Sequence, residues 1–270
     1  MWFRHPLLKL VALLFSLPLI NLLLYRARKF PKPAHVQIVA HRGGAALAPE
    51  NSEAAFRNAA KIGADWIEFD VHRTSDGVLV IMHDDTVNRM TNGKGYIKDM
   101  SWAQIRQLRM VNGEMIMRFD DVIALAKELG MGILPELKST RFYPGMEIDA
   151  LRLVQEANYQ QKTIFLSFDW DVLTRIKQLA PEVKVAALYS FQWDVSHPQP
   201  ATAEIVAPMA EMVVLNPWMI PNAHRAGREV WVWFGLLDHP HMYRLMFALG
   251  VDALICNNPA AAIRLAHATP

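Results

Sequence analysis

Residues 66–83 read WIEFDVHRTSDGVLVIMH. Two apolar, β-rich runs, WIEFDV (66–71) and VLVIMH (78–83), flank the spacer HRTSDG. That spacer is too short for a crossover helix, and Asp76-Gly77 is a strong hairpin signal. The second run is therefore expected to return antiparallel beside the first. The count of strands turns on this. Nine such runs follow residue 35: VQIVAH (36–41), WIEFDV, VLVIMH, GILPELK (132–138), TIFLSF (163–168), VKVAALY (183–189), MVVLNP (212–217), VWVWFG (230–235) and ALICNN (253–258). Setting the antiparallel return aside leaves eight.

Helical patterns fall between most of them, at 53–62, 120–129, 147–158, 170–180, 200–208, 218–226, 239–249 and 259–267. Ser52 suits the N-cap of the first and Gly63 its C′ position. Strand–helix alternation implies a parallel sheet. Eight units suit a closed (β/α)8 TIM barrel, a fold of typically about 250 residues. An open doubly wound sheet is the alternative. It more often carries a G-x-G-x-x-G fingerprint, which is absent. Residues 84–119 interrupt the alternation after the second strand and are rich in turn residues. Long insertions of this kind are often functional or form lids. A tolerated surface excursion is the plainer reading.

Of 270 residues, 52% are hydrophobic and 20% charged, which suits a packed globular chain. The net charge of +2 gives no support to a nucleic-acid partner. With Cys256 alone, no intramolecular disulfide is possible. No pattern signals an oligomeric state. Residues 1–32 differ from the rest. Leu10–Tyr25 is an apolar run broken only by Ser16, Pro18 and Asn21. With Leu7-Leu8-Lys9 it reaches the roughly 17–25 residues that span a bilayer. Arg4 and Lys9 flank one side, and Arg26, Arg28, Lys29 and Lys32 the other. Tyr25-Arg26-Ala27-Arg28-Lys29 is a poor signal-peptidase site. The expectation is thus a single-pass transmembrane helix and basic linker over 1–32, then a barrel over 33–270. Both flanks are basic, so the side of the membrane is not decided.

Chemistry in such a barrel sits at the C-terminal ends of the strands. Strand one ends in His41-Arg42, strand two carries Glu68 and Asp70, the hairpin return ends in His83-Asp84, and the next strand carries Glu136 and Lys138. Residues two apart on a strand share a face. Three inward carboxylates are costly unless something pairs with them. A hard divalent cation, Ca²⁺ or Mg²⁺, meets that need through oxygen ligands. Zinc would instead recruit His41 and His83 as ligands. Two imidazoles, a metal, an arginine and a lysine around one pocket suit phosphodiester chemistry. Taken singly, each has a plainer reading: a hydrogen-bonded structural histidine, a solvated E-x-D face, a Lys138–Glu136 pair. Their convergence on one rim favours a site. His5, His35, His72, His197, His224, His239, His241 and His267 have no such company and read as surface or structural. Asp169-Trp170-Asp171 follows a strand end and is a candidate for the rim, with the cap of the next helix the plainer reading.

HRGG (41–44) with PENS (49–52), then GADWIEFDVHRTSDGVLVIMHDDTVNRMTNGKG (63–95), then PELK (135–138), resemble the glycerophosphodiester phosphodiesterase family. The likeness is densest over 38–110 and continues through GVDALICNNP (250–259). It implies a (β/α)8 barrel with a small insertion after the second strand. It implies His41 and His83 as an acid/base pair, Glu68, Asp70 and Glu136 as metal ligands, and Arg42 and Lys138 as holders of phosphate. Glu50 matches a recurring family position; its plainer reading is a helix-start residue favourable to the dipole. The last strands depart from the family's W-T-V-N and T-D-x-P, reading Trp233-Phe234-Gly235-Leu236 and Cys256-Asn257-Asn258-Pro259. Trp231 and Trp233 share a face and are candidate pocket residues, with barrel packing the plainer reading. The implied activity is metal-dependent hydrolysis of glycerophosphodiesters to sn-glycerol 3-phosphate and an alcohol. Two alternatives are a lysophospholipase D-like activity on membrane lysophospholipids and a non-catalytic, membrane-tethered binding protein.

Overall fold

The computed structural model describes residues 19–28, 30–138, 140–190 and 203–268. Among these, nine strands form one sheet: β1 (Gln37–Ala40), β2 (Trp66–Arg73), β3 (Leu79–Ile81), β4 (Gly132–Leu137), β5 (Ile164–Ser167), β6 (Lys184–Tyr189), β7 (Ile205–Pro208), β8 (Glu229–Trp233) and β9 (Ala253–Cys256). β1 pairs in parallel with both β2 and β9, which closes the barrel. β2, β4, β5, β6, β7, β8 and β9 follow one another in parallel. β3 lies antiparallel on β2, with Val71 opposite Ile81. The hairpin reading and the eight-strand parallel barrel both hold.

Alternation along each strand sorts side chains between two cores. Val39, Leu134, Leu166, Leu188, Ala207, Trp231 and Ile255 pack inside the barrel. Ile67, Phe69, Val71, Ile133 and Leu137 face the surrounding helices. Glu68 and Asp70 alternate with those outward residues, so they point inward. In the β2–β4 register Asp70 stands opposite Glu136. Ser52 caps helix Glu53–Lys61 by accepting from Ala55 N–H, and Asp169 caps helix Trp170–Leu179. The insertion is no loose excursion. Its Val87, Met90, Ile97, Ile105, Met110 and Ile116 form a separate core with Val80 and Met82 of the hairpin return.

One pair of elements exchanges roles. MVVLNP, read as a strand, lies in helix Ala210–Leu215, while β7 lies within the stretch 200–208, read as helical. Ile205–Pro208 is four residues, all buried, so no periodicity distinguishes it from a buried helix. In the helix, Ala210 and Val213 are buried at a spacing of three, and Pro217 follows its end. One strand replaces another, so the total of eight survives.

The membrane expectation is corrected. Residues 1–18 of the expected span lie outside the described residues. Among the described residues, no helix is long and apolar enough to cross a membrane. The described end of the apolar run is a helix over 19–26 that packs on the barrel instead. Tyr25 is buried; its hydroxyl donates to the Leu249 carbonyl at 2.7 Å, and its ring meets Trp218 edge-on. Asn21 accepts from Trp218 Nε1 at 2.7 Å and donates to the Leu215 carbonyl. The single-pass membrane location is therefore withdrawn.

Candidate active site

The chain leaves β1 through His41-Arg42-Gly43-Gly44. Arg42, Gly43 and Gly44 all take positive φ (53°, 81° and 94°). A Cβ on Gly43 would lie 2.7 Å from both Ala55 and Phe56, so only glycine fits this turn. Left-handed backbone at a non-glycine residue is costly and tends to mark functional sites. Here it aims the Arg42 N–H at Glu68, 2.7 Å from Oε2.

His41, Arg42, Glu50, Glu68, His83, Glu136 and Lys138 line one cavity of about 370 Å³ at the C-terminal mouth of the barrel. Asp70 lies fully buried just behind it. Residues from β2 and β4, from the loop after β1 and from the end of the hairpin return are thus brought together as the sequence suggests. Phe168, Trp233 and Phe234 make an aromatic wall opposite the charged side, with Phe168 edge-on to Trp233. Trp233 lines the cavity. Trp231 does not; it is buried in the barrel interior against Trp66.

Glu68, Asp70 and Glu136 each offer an oxygen, all within 4.8 Å of one another. Glu68 Oε1 and Asp70 Oδ1 are buried and accept no hydrogen bond. Burial, then Asp70 and Glu136, push the Glu68 carboxyl well above the usual range. Burial also raises Glu136, against the pull of Lys138. Burial opposes ionisation of Asp70, but Lys138 and Arg42 outweigh it and hold that carboxyl below its ordinary value. Asn51, itself at φ 56°, braces Asp70 with its amide, Nδ2 to Oδ2 at 2.9 Å. Three crowded carboxylates, two of them with an orphaned oxygen, fit a hard divalent cation. Lys138 Nζ sits 3.2 Å from Glu136 and 3.6 Å from Asp70, on the cavity side.

The two imidazoles have different partners. His41 Nδ1 faces Asn257 Oδ1 at 2.7 Å, so Nδ1 carries the proton and Nε2 keeps its lone pair. Burial and then Arg42 lower the His41 pKa to about 4. His83 Nδ1 faces a carboxylate, Asp84 Oδ1, at 2.8 Å. Hydrogen bonds from Arg89 hold the Asp84 carboxyl far below its usual range. His41 thus has a neutral hydrogen-bond partner, and His83 an anionic one. Behind His83, the buried His72 faces the Tyr143 hydroxyl and the His83 carbonyl, a structural role.

Asn257, Asp84, Asn51 and Arg89 were not assigned to the site from sequence. CNNP at a strand end and the Asp after His83 were visible signals. Arg89, six residues beyond His83 in a turn-rich segment, carried none.

The sequence profile of the glycerophosphoryl diester phosphodiesterase family matches residues 41–261. A glycerophosphodiester phosphodiesterase of Caldanaerobacter subterraneus subsp. tengcongensis is 32% identical over 238 residues, 84% of this chain and 96% of that one. Among solved structures, a phosphodiesterase of Oleispira antarctica in complex with the product sn-glycerol-3-phosphate superposes with TM-score 0.72. It is 25% identical, over 88% of this chain and 98% of that one. A glycerophosphodiester phosphodiesterase of Agrobacterium tumefaciens superposes with TM-score 0.71 at 28% identity, over 84% of this chain and 99% of that one. With the profile spanning most of the barrel and the relative matched nearly end to end, the chain belongs to the glycerophosphoryl diester phosphodiesterase family.

Proposed function

We propose that this glycerophosphodiester phosphodiesterase divides its proton transfers by the partners of its two histidines, His41 acting first as base and His83 as acid. The enzyme hydrolyses glycerophosphodiesters to sn-glycerol 3-phosphate and an alcohol. The observation that carries the division is the contrast between Asn257 behind His41 and Asp84 behind His83.

Glu68, Asp70 and Glu136 would hold the cation, Ca²⁺ or Mg²⁺. Once bound, it withdraws charge from the phosphate oxygens and lowers the barrier to attack at phosphorus. Arg42 and Lys138 add fixed positive charge beside the same oxygens. The glycerol 2-hydroxyl attacks phosphorus as Nε2 of His41 takes its proton. The bond to the alcohol breaks as His83 gives that oxygen a proton. A cyclic phosphate and a free alcohol result. His83, having given up that proton, then takes one from water as the water attacks phosphorus. His41, now charged, returns its proton to the glycerol 2-oxygen, and both residues regain their starting states. The aromatic wall of Phe168 and Trp233 offers an apolar face to the carbon skeleton of glycerol or of the alcohol.

Glycerophosphocholine incubated with Ca²⁺ or with Mg²⁺ tests this, with products separated by chromatography. Choline and sn-glycerol 3-phosphate should appear only with metal. Phosphocholine and glycerol would show the wrong bond breaking. Nothing in the described residues favours a lysophospholipid, which serves as the control substrate, and nothing favours a binding protein without turnover.

A further inference from the structure

The insertion meets the site through Asp84, which faces His83, and through the guanidinium of Arg89. Arg89 Nε donates to Asp84 Oδ2 at 2.8 Å, and Arg89 Nη2 donates to Asp84 Oδ1 at 3.0 Å and to Glu50 Oε1 at 2.6 Å. Each acceptor has a second partner in the site. Asp84 Oδ1 accepts from His83 Nδ1 at 2.8 Å, and Glu50 Oε1 accepts from Arg42 Nη1 at 3.2 Å. The chain of contacts runs from His83 through Asp84, Arg89 and Glu50 to Arg42 without a break. Arg89 itself does not line the cavity.

The backbone beneath it is well held. Met90, its neighbour, is buried in the insertion's own core. Glu114, at the far end of the insertion, accepts from the Glu53 and Ala54 N–H groups at 2.9 and 3.3 Å. That pins the insertion against the start of helix Glu53–Lys61, next to the loop bearing Arg42 and Glu50. Two anchor points keep the guanidinium in place although its side chain is half exposed.

We infer that Arg89 is a positioning residue of this enzyme: it holds Asp84 behind His83 and Glu50 behind Arg42, so that the acid and the phosphate grip keep one geometry. The inference rests on the acid role of His83. Arginine suits the task because its planar fork meets two carboxylates at once. Lysine has the charge without the fork. Glu50 acquires a role by the same geometry: it is the link between two arginines. The insertion acquires one too, for without it the acid's partner has nothing to brace it.

Steady-state kinetics of Arg89→Met, Arg89→Lys, His83→Ala, Asp84→Asn and the double variant Asp84→Asn/Arg89→Met test this. Each is run on glycerophosphocholine and on a nitrophenyl ester of glycerol phosphate, whose leaving group needs no proton. Loss of a residue that braces a reacting group costs about 10–100-fold. Arg89→Met should lose that much, chiefly in kcat, on glycerophosphocholine and far less on the nitrophenyl ester. Arg89→Lys should fall between, and it carries the comparison if the methionine variant does not fold. The double variant should be no slower than the slower single. Equal losses on both esters, with His83→Ala rescued by the nitrophenyl ester, would overturn the inference. If His83→Ala is itself not rescued, the acid assignment falls and the double variant decides. Losses that multiply then reject a link through Asp84, and losses no greater than the larger single uphold it.

Discussion

His41 and Asn257 lie 216 positions apart in sequence, yet Nδ1 of one faces Oδ1 of the other at 2.7 Å. β1 and β9 close the barrel between them, with Ala40 paired to Cys256, and the contact is formed one residue beyond each strand. A neutral amide thereby sets the tautomer of a histidine whose free nitrogen faces the carboxylate cluster.

Asn257→Asp should make His41 more basic. The carboxylate favours imidazolium, so the His41 pKa rises from about 4. A base works only when unprotonated, so the acid limb of the kcat/KM profile should move to higher pH. The measurement is that profile with saturating metal. An acid limb unmoved by the substitution would detach Asn257 from the base.

Without metal, His41 should also make folding sensitive to acid. Its pKa falls from 6.5 to about 4 on folding. Above pH 6.5 both states are neutral there and nothing is lost. Between 6.5 and 4 the unfolded chain binds a proton that folded His41 refuses, so stability falls as pH falls. The loss is complete below 4 and is on the order of 3 kcal/mol. Burial lowers the His72 pKa as well and adds in the same direction. Denaturant melts at pH 7 and pH 4.5 should therefore differ less for His41→Asn than for the native chain. An undiminished difference would mean that other groups set the acid sensitivity.

The carboxylate cluster predicts opposite effects with and without metal. Glu68 is driven toward its neutral form by burial and its two neighbours, so Glu68→Gln should leave the metal-free melting temperature unchanged or higher. A cation at about 100 times its Kd adds about 2.7 kcal/mol to the native chain. That increment should vanish in Glu68→Gln, Asp70→Asn and Glu136→Gln. Thermal melts with Ca²⁺ and with Mg²⁺ read both quantities. If all three variants keep the native increment, the cation binds elsewhere.

Gly43→Ala should cost more than an ordinary loop change. The new Cβ meets Ala55 and Phe56 at 2.7 Å, on backbone with φ 81°. Strain of about 1–3 kcal/mol is expected, relieved by moving Arg42. Melting temperature and turnover should fall together. A Gly43→Ala enzyme with native kcat and native stability would contradict the reading of this turn.

Much of the barrel is legible in the chain because buried parallel strands are near-continuous apolar runs, and because Asp76-Gly77 marks the antiparallel return of β3. The inward pairs Glu68/Asp70 and Glu136/Lys138 follow from strand alternation alone. Legibility ends where local pattern ends. Ile205–Pro208 and Ala210–Leu215 are both short and apolar, and only their neighbours decide which is the strand. The apolar residues before Tyr25 pattern like a span, yet Tyr25 and Asn21 bond to the barrel. Asn257 and Arg89 reach their partners through chain closure and through the folded insertion, neither of which leaves a spacing to read.

The division of labour between the histidines is tested most directly by His41→Ala and His83→Ala on two esters. General acid–base catalysis contributes about 10²–10⁴-fold per group. Each variant should lose turnover of glycerophosphocholine by that order while keeping its fold and its metal-induced stabilisation. On the nitrophenyl ester, which needs no acid, His83→Ala should recover most of its first-step rate, read as nitrophenol release, and His41→Ala should not. Rescue of His41→Ala in place of His83→Ala would reverse the assignment, and native rates in both folded variants would remove the histidines from the chemistry.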